Sequence, residues 1–345
     1  MALRQPVLVT GGAGYIGSHV VAALREAGHP VVAYDNLSSG HRWAVRDAEL
    51  VVGDLGDRER LEAVLAGRQF AAVLHFAANI WVGESVREPA RYYRNNVVNA
   101  LNLFELAARH GVSRIVLSST AAVYGEPGVA LIDETLPLAP INPYGASKMM
   151  AERILADVAS AAGLRYVILR YFNVAGANVE GQIGEATPNN SHLVKVACEA
   201  ALGTRPGIAI NGVDYPTRDG TCVRDYLHIE DLASAHIEAL RYLERGSSSE
   251  VFNCGYGHGF SVREVVDAVR QVSGVDFPVE EGPRRPGDPA VLVASNAKIR
   301  KVLGWQPRYD DLEAIVRSAW QWEQWLHARG GPEALAAAPG KAASA

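Results

Sequence analysis

Tyr144 and Lys148 stand four residues apart in the run Pro143-Tyr-Gly-Ala-Ser-Lys148, a spacing that puts a phenol and an ammonium on one face of a helix. A phenol that titrates near pH 10 is a poor base at neutrality. A fixed cation beside it favours the phenolate and draws that value down. The pair on its own is equally an ordinary solvated helix face, so its chemistry depends on what else the chain brings to it.

The first companion is at the N-terminus. Val7-Leu8-Val9 is a short apolar run that stops at Gly11-Gly-Ala-Gly-Tyr-Ile-Gly17, after which Ile16, Val20, Ala23, Leu24 and Ala27 recur at helical spacing. The pattern predicts strand, glycine turn and helix. Gly11, Gly14 and Gly17 allow a tight turn, close approach of backbone N–H groups to a pyrophosphate, and close packing of helix on strand. A second strand, residues 31–34, ends in Asp35. A carboxylate about 20 residues past the glycines accepts hydrogen bonds from an adenosine ribose and repels a 2′-phosphate, which favours NAD over NADP.

Further strands are predicted at 50–52, 72–75, 115–118 and 166–169, with helices near 58–66, 91–110 and 146–162 between them. This alternation is that of an α/β, doubly wound parallel sheet, Rossmann-like, with ligands at the C-terminal ends of the strands. Gly11, Asp35, Asp54, Ala77, Thr120 and Tyr171-Phe172-Asn173 all fall at such ends although they are scattered along the sequence. From about residue 175 the rhythm changes to longer loops rich in Gly, Pro and Asn. Residues 1–174 are therefore read as the dinucleotide domain, 175–329 as mainly a smaller C-terminal substrate lobe with some segments returning to the first domain, and 330–345 as a disordered tail. Arg224 and Arg285 fall in loops of that lobe, where guanidinium groups grip phosphate or pair with a neighbouring carboxylate. Trp320, Trp322 and Trp325 pack one terminal helix against the body.

Composition narrows the class. The 345 residues are 48% hydrophobic and 21% charged, with a net charge of −5 and no dense Lys/Arg run. Clustered positive charge is the expected footprint of a nucleic-acid or membrane surface, so neither partner is expected. Cys198, Cys222 and Cys254 are odd in number and far apart, which indicates neither a disulfide framework nor a metal site. With no apolar signal core before the glycines and no stretch long enough to span a bilayer, a cytoplasmic location is expected.

Several segments together carry a resemblance: Thr10-Gly-Gly-Ala-Gly-Tyr-Ile-Gly17, His75-Phe-Ala-Ala78, Val82-Gly-Glu-Ser-Val86, Tyr92-Tyr-Arg-Asn-Asn96, Ser118-Ser-Thr-Ala-Ala-Val-Tyr-Gly125, Pro143 to Lys148, Arg170-Tyr-Phe-Asn173 and Val223-Arg-Asp-Tyr-Leu-His228. In this order they resemble the UDP-glucose 4-epimerase family of the extended short-chain dehydrogenase/reductases, over residues 7 to 325. The resemblance implies a redox-neutral, NAD-dependent isomerase that interconverts UDP-glucose and UDP-galactose through a transient 4-keto sugar. Tyr144 acts as acid/base, Lys148 and the nicotinamide lower its pKa, and Thr120, where serine is common, bonds the same oxygen. The resemblance further implies that Gly11, Gly14, Tyr15, Ile16, Asp35, Asn36, Asp54, Leu55, Phe76, Ala77, Ala78, Asn95 and Phe172 line the NAD cleft with Tyr144 and Lys148. Asn173, His192, Leu193, Ala209, Asn211, Arg224, Arg285 and Asp288 are implied to hold the UDP-sugar. Counted from Arg285 and Asp288, Leu292 falls on the wall facing the sugar's 2-substituent. The family is usually dimeric, and the helices near 91–110 and 146–162 are the implied homodimer face.

The chain departs from the family pattern at Ile80, where lysine is common, at His192, where a phosphate-binding asparagine is common, and at Asn211, where an aromatic residue often lies near uracil. Three other readings stay open at this point. A 4-epimerase of another UDP-sugar (an N-acetylhexosamine, pentose or uronate) fits the same motifs. A nucleotide-sugar 4,6-dehydratase needs an acid/base pair where Ala121-Ala122 stand, and a non-catalytic NAD-binding protein has no need of Thr120, Tyr144 and Lys148 together.

Overall fold

Apolar runs that alternate with amphipathic stretches can bury themselves only as strands between two helical layers, and the computed structural model, which describes residues 5–188, 190–285 and 288–337, shows that arrangement. The first half runs β1 (Val7–Thr10), α1 (Tyr15–Glu26), β2 (Val31–Asp35), β3 (Glu49–Val52), α2 (Arg58–Ala66), β4 (Ala72–His75), α3 (Val82–Arg87), α4 (Pro89–Tyr93), α5 (Asn99–Arg109), β5 (Arg114–Thr120), α6 (Pro143–Ala162) and β6 (Arg165–Tyr171). The second half contributes β7 (Asn173–Ala175), α7 (Leu193–Ala201), β8 (Ile208–Asn211), β9 (Val223–Arg224), β10 (Tyr226–His228), α8 (Ile229–Glu244), β11 (Glu250–Cys254), β12 (Phe260–Ser261) and α9 (Val262–Ser273). It ends with β13 (Val279–Gly282), β14 (Val291–Leu292), α10 (Ala297–Leu303), α11 (Leu312–Ala328) and α12 (Gly331–Ala337).

Seven strands form one sheet in the order β11-β6-β5-β4-β1-β2-β3, all paired in parallel. Strand alternation assigns the two cores. Val7 and Val9 face α1 and α8, where Val20, Leu24, Leu232 and Leu240 pack, whereas Leu8 faces α2, α5 and α6 with Leu61, Phe104 and Leu155. The strand order reverses between β1 and β4, so a crevice opens at the C-terminal ends of the strands beside the glycine turn. β11 and α8 lie beyond residue 175 and yet belong to this sheet and its covering layer. The remaining short strands, β10-β7, β12-β9-β14 and β13-β8, form separate small sheets outside the large one, and α7, α9 and α11 pack against one another beside them.

α6 carries the Tyr/Lys pair. It opens at Pro143, earlier than the predicted 146, because Asn142 Oδ1 accepts the Gly145 N–H at 2.9 Å and the fixed φ of Pro143 suits the first helical position. It ends at Gly163, whose φ of 71° is the left-handed conformation a glycine cap supplies. On its buried face Glu152 receives Arg170 of β6 at 3.0 Å from Nε and 2.6 Å from Nη2, and both side chains are buried. Arg170 also donates to Tyr124 at 2.9 Å, and Tyr124 to Asn253 of β11 at 2.7 Å.

Three expectations need correction. The helix expected over 91–110 is interrupted by a π turn at Arg94–Val98. The wider turn lets Asn96 reach back to the chain after β4, accepting the Asn79 N–H at 2.8 Å and donating to the Asn79 carbonyl at 2.9 Å, while Asn95 lines the crevice. Arg224 sits on buried strand β9 and not in a loop, since residues 223–224 pair with β12 on one side and β14 on the other. The tail expected to be disordered from 330 contains α12 at Gly331–Ala337, which packs Leu335 onto the cluster of Trp322 and Leu326; residues 338–345 lie outside the described residues.

The buried ion pair gives a stability prediction. Removing one partner strands the other charge in a low-dielectric interior, at a cost of about 3–5 kcal/mol. Arg170→Met should therefore lower the unfolding free energy in urea by about that amount, and a loss below about 1 kcal/mol would show that Glu152 finds another partner.

Candidate active site

The crevice is one cleft of about 1780 Å³ across the strand ends, and every residue that the sequence singled out for catalysis, cofactor or substrate lines it. Its cofactor half begins at the glycine turn. Gly11 has φ of 73°, and a Cβ there would stand 2.5 Å from the Ala77 backbone nitrogen; one on Gly17 would stand 2.0 Å from the Gly11 carbonyl. The turn and the chain after β4 therefore meet backbone to backbone, which only glycine permits. No side chain caps α1 at Gly14, so the amides of its first turn face the cleft as an anion site.

Asp35 ends β2. Its Oδ2 accepts the Ala13 N–H at 2.9 Å and its Oδ1 the Leu37 N–H at 2.8 Å. Burial raises its pKa above the ordinary value, opposed by those two bonds. The carboxylate thus fixes the glycine turn while its remaining lone pairs face the cleft. Asn36 donates to Asp54 at 2.6 Å, and Asp54 also accepts the Gly56 N–H at 2.7 Å, which shapes the edge carrying Leu55. Phe76 packs 4.8 Å from His236, centroid to centroid, next to Ala77 and Ala78 on the wall. Anion-binding amides, a ribose-facing carboxylate and an apolar wall are the donor set a dinucleotide requires.

Thr120 ends β5 in the extended conformation, and its Oγ1 accepts the Ala122 N–H at 3.1 Å. Tyr144 lies in the first turn of α6, with Lys148 one turn on and buried. Burial pushes the Tyr144 phenol up, and a hydrogen bond with Thr120 opposes the rise. Burial likewise brings the Lys148 ammonium down to about 8, against the opposing charge of Glu152. In the protein without cofactor, burial therefore dominates the phenol, where the sequence predicts a lowering by Lys148. The physical reason is that α6 buries both groups together. Behind them, burial and then Lys148 bring His75 down to about 3, and its Nδ1 lies 2.7 Å from the Thr10 hydroxyl.

The substrate half faces this group from the smaller lobe. Phe172 and Asn173 arrive from the end of β6, and Leu193 follows His192 at the start of α7. Ala209 and Asn211 lie on β8, with the Asn211 amide donating to the Ala209 carbonyl at 3.2 Å. Arg224 is ion-paired with Asp288, and Arg285 is exposed at the rim. Leu292 is a strand residue, in register with Arg224, and packs with Phe172 while lining the cleft.

Sequence reasoning missed several lining residues: Trp81, Glu185, Lys195, Trp322 and Glu323. Trp81 had a local signal, since it is an aromatic residue in the loop after β4. Lys195, Trp322 and Glu323 reach the cleft because α7 and α11 pack against each other, and the Glu185 carbonyl accepts the Trp322 Nε1–H at 3.1 Å, which no spacing within the chain reveals. Among the described residues no group of three or more His, Cys, Asp and Glu is arranged to hold a metal ion.

Residues 7–255 match the NAD dependent epimerase/dehydratase family. The UDP-glucose 4-epimerase of Azospirillum brasilense is 55% identical over 99% of this chain and 98% of its own. The UDP-glucose 4-epimerase of Brucella ovis, solved in complex with NAD, superposes with a TM-score of 0.89 at 44% identity, covering 92% of this chain and 97% of that one. The UDP-Glc/GlcNAc 4-epimerase of Campylobacter jejuni superposes with a TM-score of 0.82 at 48% identity over 93% and 99%. A cleft that joins a dinucleotide cradle to a Thr/Tyr/Lys group, on a chain alike over its whole length, leads to one assignment: this chain belongs to the NAD dependent epimerase/dehydratase family, among its UDP-glucose 4-epimerases.

Proposed function

We propose that this chain interconverts UDP-glucose and UDP-galactose by NAD-dependent, redox-neutral 4-epimerisation, with Tyr144 as the acid/base. The observation that carries the reading is the position of Thr120, Tyr144 and Lys148, at the junction of the two halves of one cleft. Gly11, Gly14, Tyr15 and Ile16 would hold the pyrophosphate of NAD through backbone amides, and Asp35 its adenosine ribose. When bound, NAD supplies the acceptor and donor of hydride at the sugar's C4. Tyr144 takes the proton of the 4-hydroxyl as a 4-keto sugar forms and returns it when the configuration has inverted. Thr120 bonds that same oxygen, and Lys148 stabilises the phenolate against the burial that raises its pKa. Arg285, Asn173 and the rim of β8 would hold the UDP moiety, so residues 1–174 act on the cofactor and 175–329 mainly on the nucleotide sugar.

The same reading extends to the assembly. Val98, Leu101 and Met150 are exposed on the helical layer of α5 and α6, and burial of this face against a second copy makes a homodimer. Nucleic acid is not a partner of a chain with this charge distribution. No helix of the described residues is long and apolar enough to cross a membrane. Three buried free thiols suit the reducing cytoplasm.

Replacing the phenol tests the mechanism. Tyr144→Phe keeps the ring and removes only the acid/base oxygen, so kcat for UDP-galactose should fall by about 10²–10⁴-fold while UDP-glucose binding persists. A variant that keeps more than about a tenth of the wild-type kcat contradicts the assignment. Lys148→Ala removes the cation that favours the phenolate, so the alkaline rise of kcat should move to higher pH; a profile unchanged in position would deny Lys148 that role.

Leu292 sets substrate breadth in this reading. The Campylobacter jejuni neighbour, a UDP-Glc/GlcNAc 4-epimerase by name, makes an N-acetyl sugar the natural second substrate. Leucine lacks the reach of tyrosine but still fills volume, and such differences discriminate by about 1–3 kcal/mol. UDP-glucose and UDP-galactose should be preferred, with weaker conversion of the N-acetyl pair. Leu292→Tyr should raise the ratio of kcat/KM for UDP-galactose over UDP-N-acetylgalactosamine; an unchanged ratio means that Leu292 does not gate the pocket.

A further inference from the structure

The substrate half of the cleft must hold a doubly charged diphosphate, yet several of its cations are already engaged. Arg224 is paired with Asp288. Lys195 lies 2.6 Å from Glu323 and 3.2 Å from Glu199, and Arg205 lies 3.1 Å from Glu199. His192 is placed differently. It stands at the N-terminus of α7, where no side chain caps the helix. Its Nδ1 is 2.6 Å from Oε1 of buried Glu185, while 40% of its side chain is exposed. Trp81, from the opposite wall, packs against the ring with centroids 5.6 Å apart. Nδ1–H is thus committed to Glu185, and Nε2 is the nitrogen left for a ligand.

We propose that Glu185 is a positioning residue that keeps His192 as an imidazolium, whose Nε2–H binds the diphosphate of the nucleotide sugar beside the amides of α7, so that affinity for UDP-sugars falls as pH rises through neutrality. The proposal rests on the epimerase reading for its ligand and goes beyond it in the charge state it assigns. Burial works to lower the His192 pKa, but the charge and hydrogen bond of Glu185 outweigh it and the net shift is upward. Burial works to raise Glu185, and His192, the Asn190 amide and Lys195 outweigh it in turn. The other groups around the pair are accounted for. Lys195 on α7 faces Glu323 of α11 and Glu199, and from α1 the Tyr15 phenol stays neutral while burial brings His19 down to about 4. Burial also pushes Glu323 up to about 7 and brings Lys148 down to about 8 in the same cleft, so the part of the pH dependence owed to His192 is the part that its replacement removes. Below its raised pKa the ring is cationic and binds; above it the charge-assisted bond is lost.

The test uses the NAD-loaded Tyr144→Phe protein, which binds without turning over, titrated with UDP-glucose by calorimetry between pH 6 and 9. The sugar diphosphate does not titrate in that range. Kd should rise about tenfold across it. Adding His192→Asn should cut the rise in Kd to less than half, and adding Glu185→Gln should move the rise to lower pH, a shift that a merely structural role for Glu185 does not produce. A flat profile with His192 present, or the same profile after His192→Asn, overturns the proposal. If Glu185→Gln does not fold, the His192→Asn comparison still decides the matter. Absence of UDP-glucose binding at every pH would instead overturn the epimerase reading itself.

Discussion

The buried ion pair between Arg170 and Glu152 is the contact on which the site depends. Glu152 lies one turn beyond Lys148 on α6, and Arg170 lies on β6 just before the segment that delivers Phe172 and Asn173. A guanidinium that meets a carboxylate through Nε and Nη2 fixes the rotation of both elements. Two buried charges gain little net stability relative to apolar packing. They do impose one arrangement, because a helix turned by a single residue would strand both. The phenol and ammonium at the head of α6 thereby inherit a fixed direction, and the substrate wall after β6 inherits its distance from them.

Much of the fold was legible because its signals are local. Val7 to Gly17 spells strand, turn and helix in consecutive residues, and the strand ends at Asp35, Ala77 and Thr120 converge because a parallel sheet leaves its loops on one edge. The π turn at Arg94–Val98 was not legible. It goes with the two hydrogen bonds between Asn96 and residue 79, seventeen positions away, and nothing in the helical periodicity of the segment announces it. Arg224 was misplaced for a related reason, because β9 is two residues long and owes its existence to partners at 260 and 292.

The run Val223-Arg-Asp-Tyr-Leu-His228 shows how one motif divides its labour once folded. Arg224 lines the cleft, whereas Asp225 turns away and accepts N–H groups from Tyr256 at 2.9 Å, Gly257 at 3.1 Å and Ala294 at 3.2 Å. Burial still pushes its carboxyl up to about 6 despite those bonds. His228 accepts the Glu230 N–H at 3.1 Å and so starts α8. A sequence motif marks all six positions alike, although Arg224 and Tyr226 line the cleft while Asp225 and His228 hold neighbouring backbone in place.

The electrostatics of the cleft follow from the same division. On the cofactor side the backbone amides at the head of α1 are uncapped and uncharged, so an anion met there would break no ion pair. On the substrate side Lys195 of α7 and Arg224 of β9 each meet a carboxylate. A diphosphate that enters must compete with those carboxylates, and it succeeds best where the partner holds one face of the cation and leaves another open. An arginine committed to a single carboxylate and a histidine bonded through one nitrogen both satisfy that condition, whereas a lysine held between two glutamates does not. The cleft therefore separates cations held between two carboxylates from cations with a face still open, by the number of partners each already has.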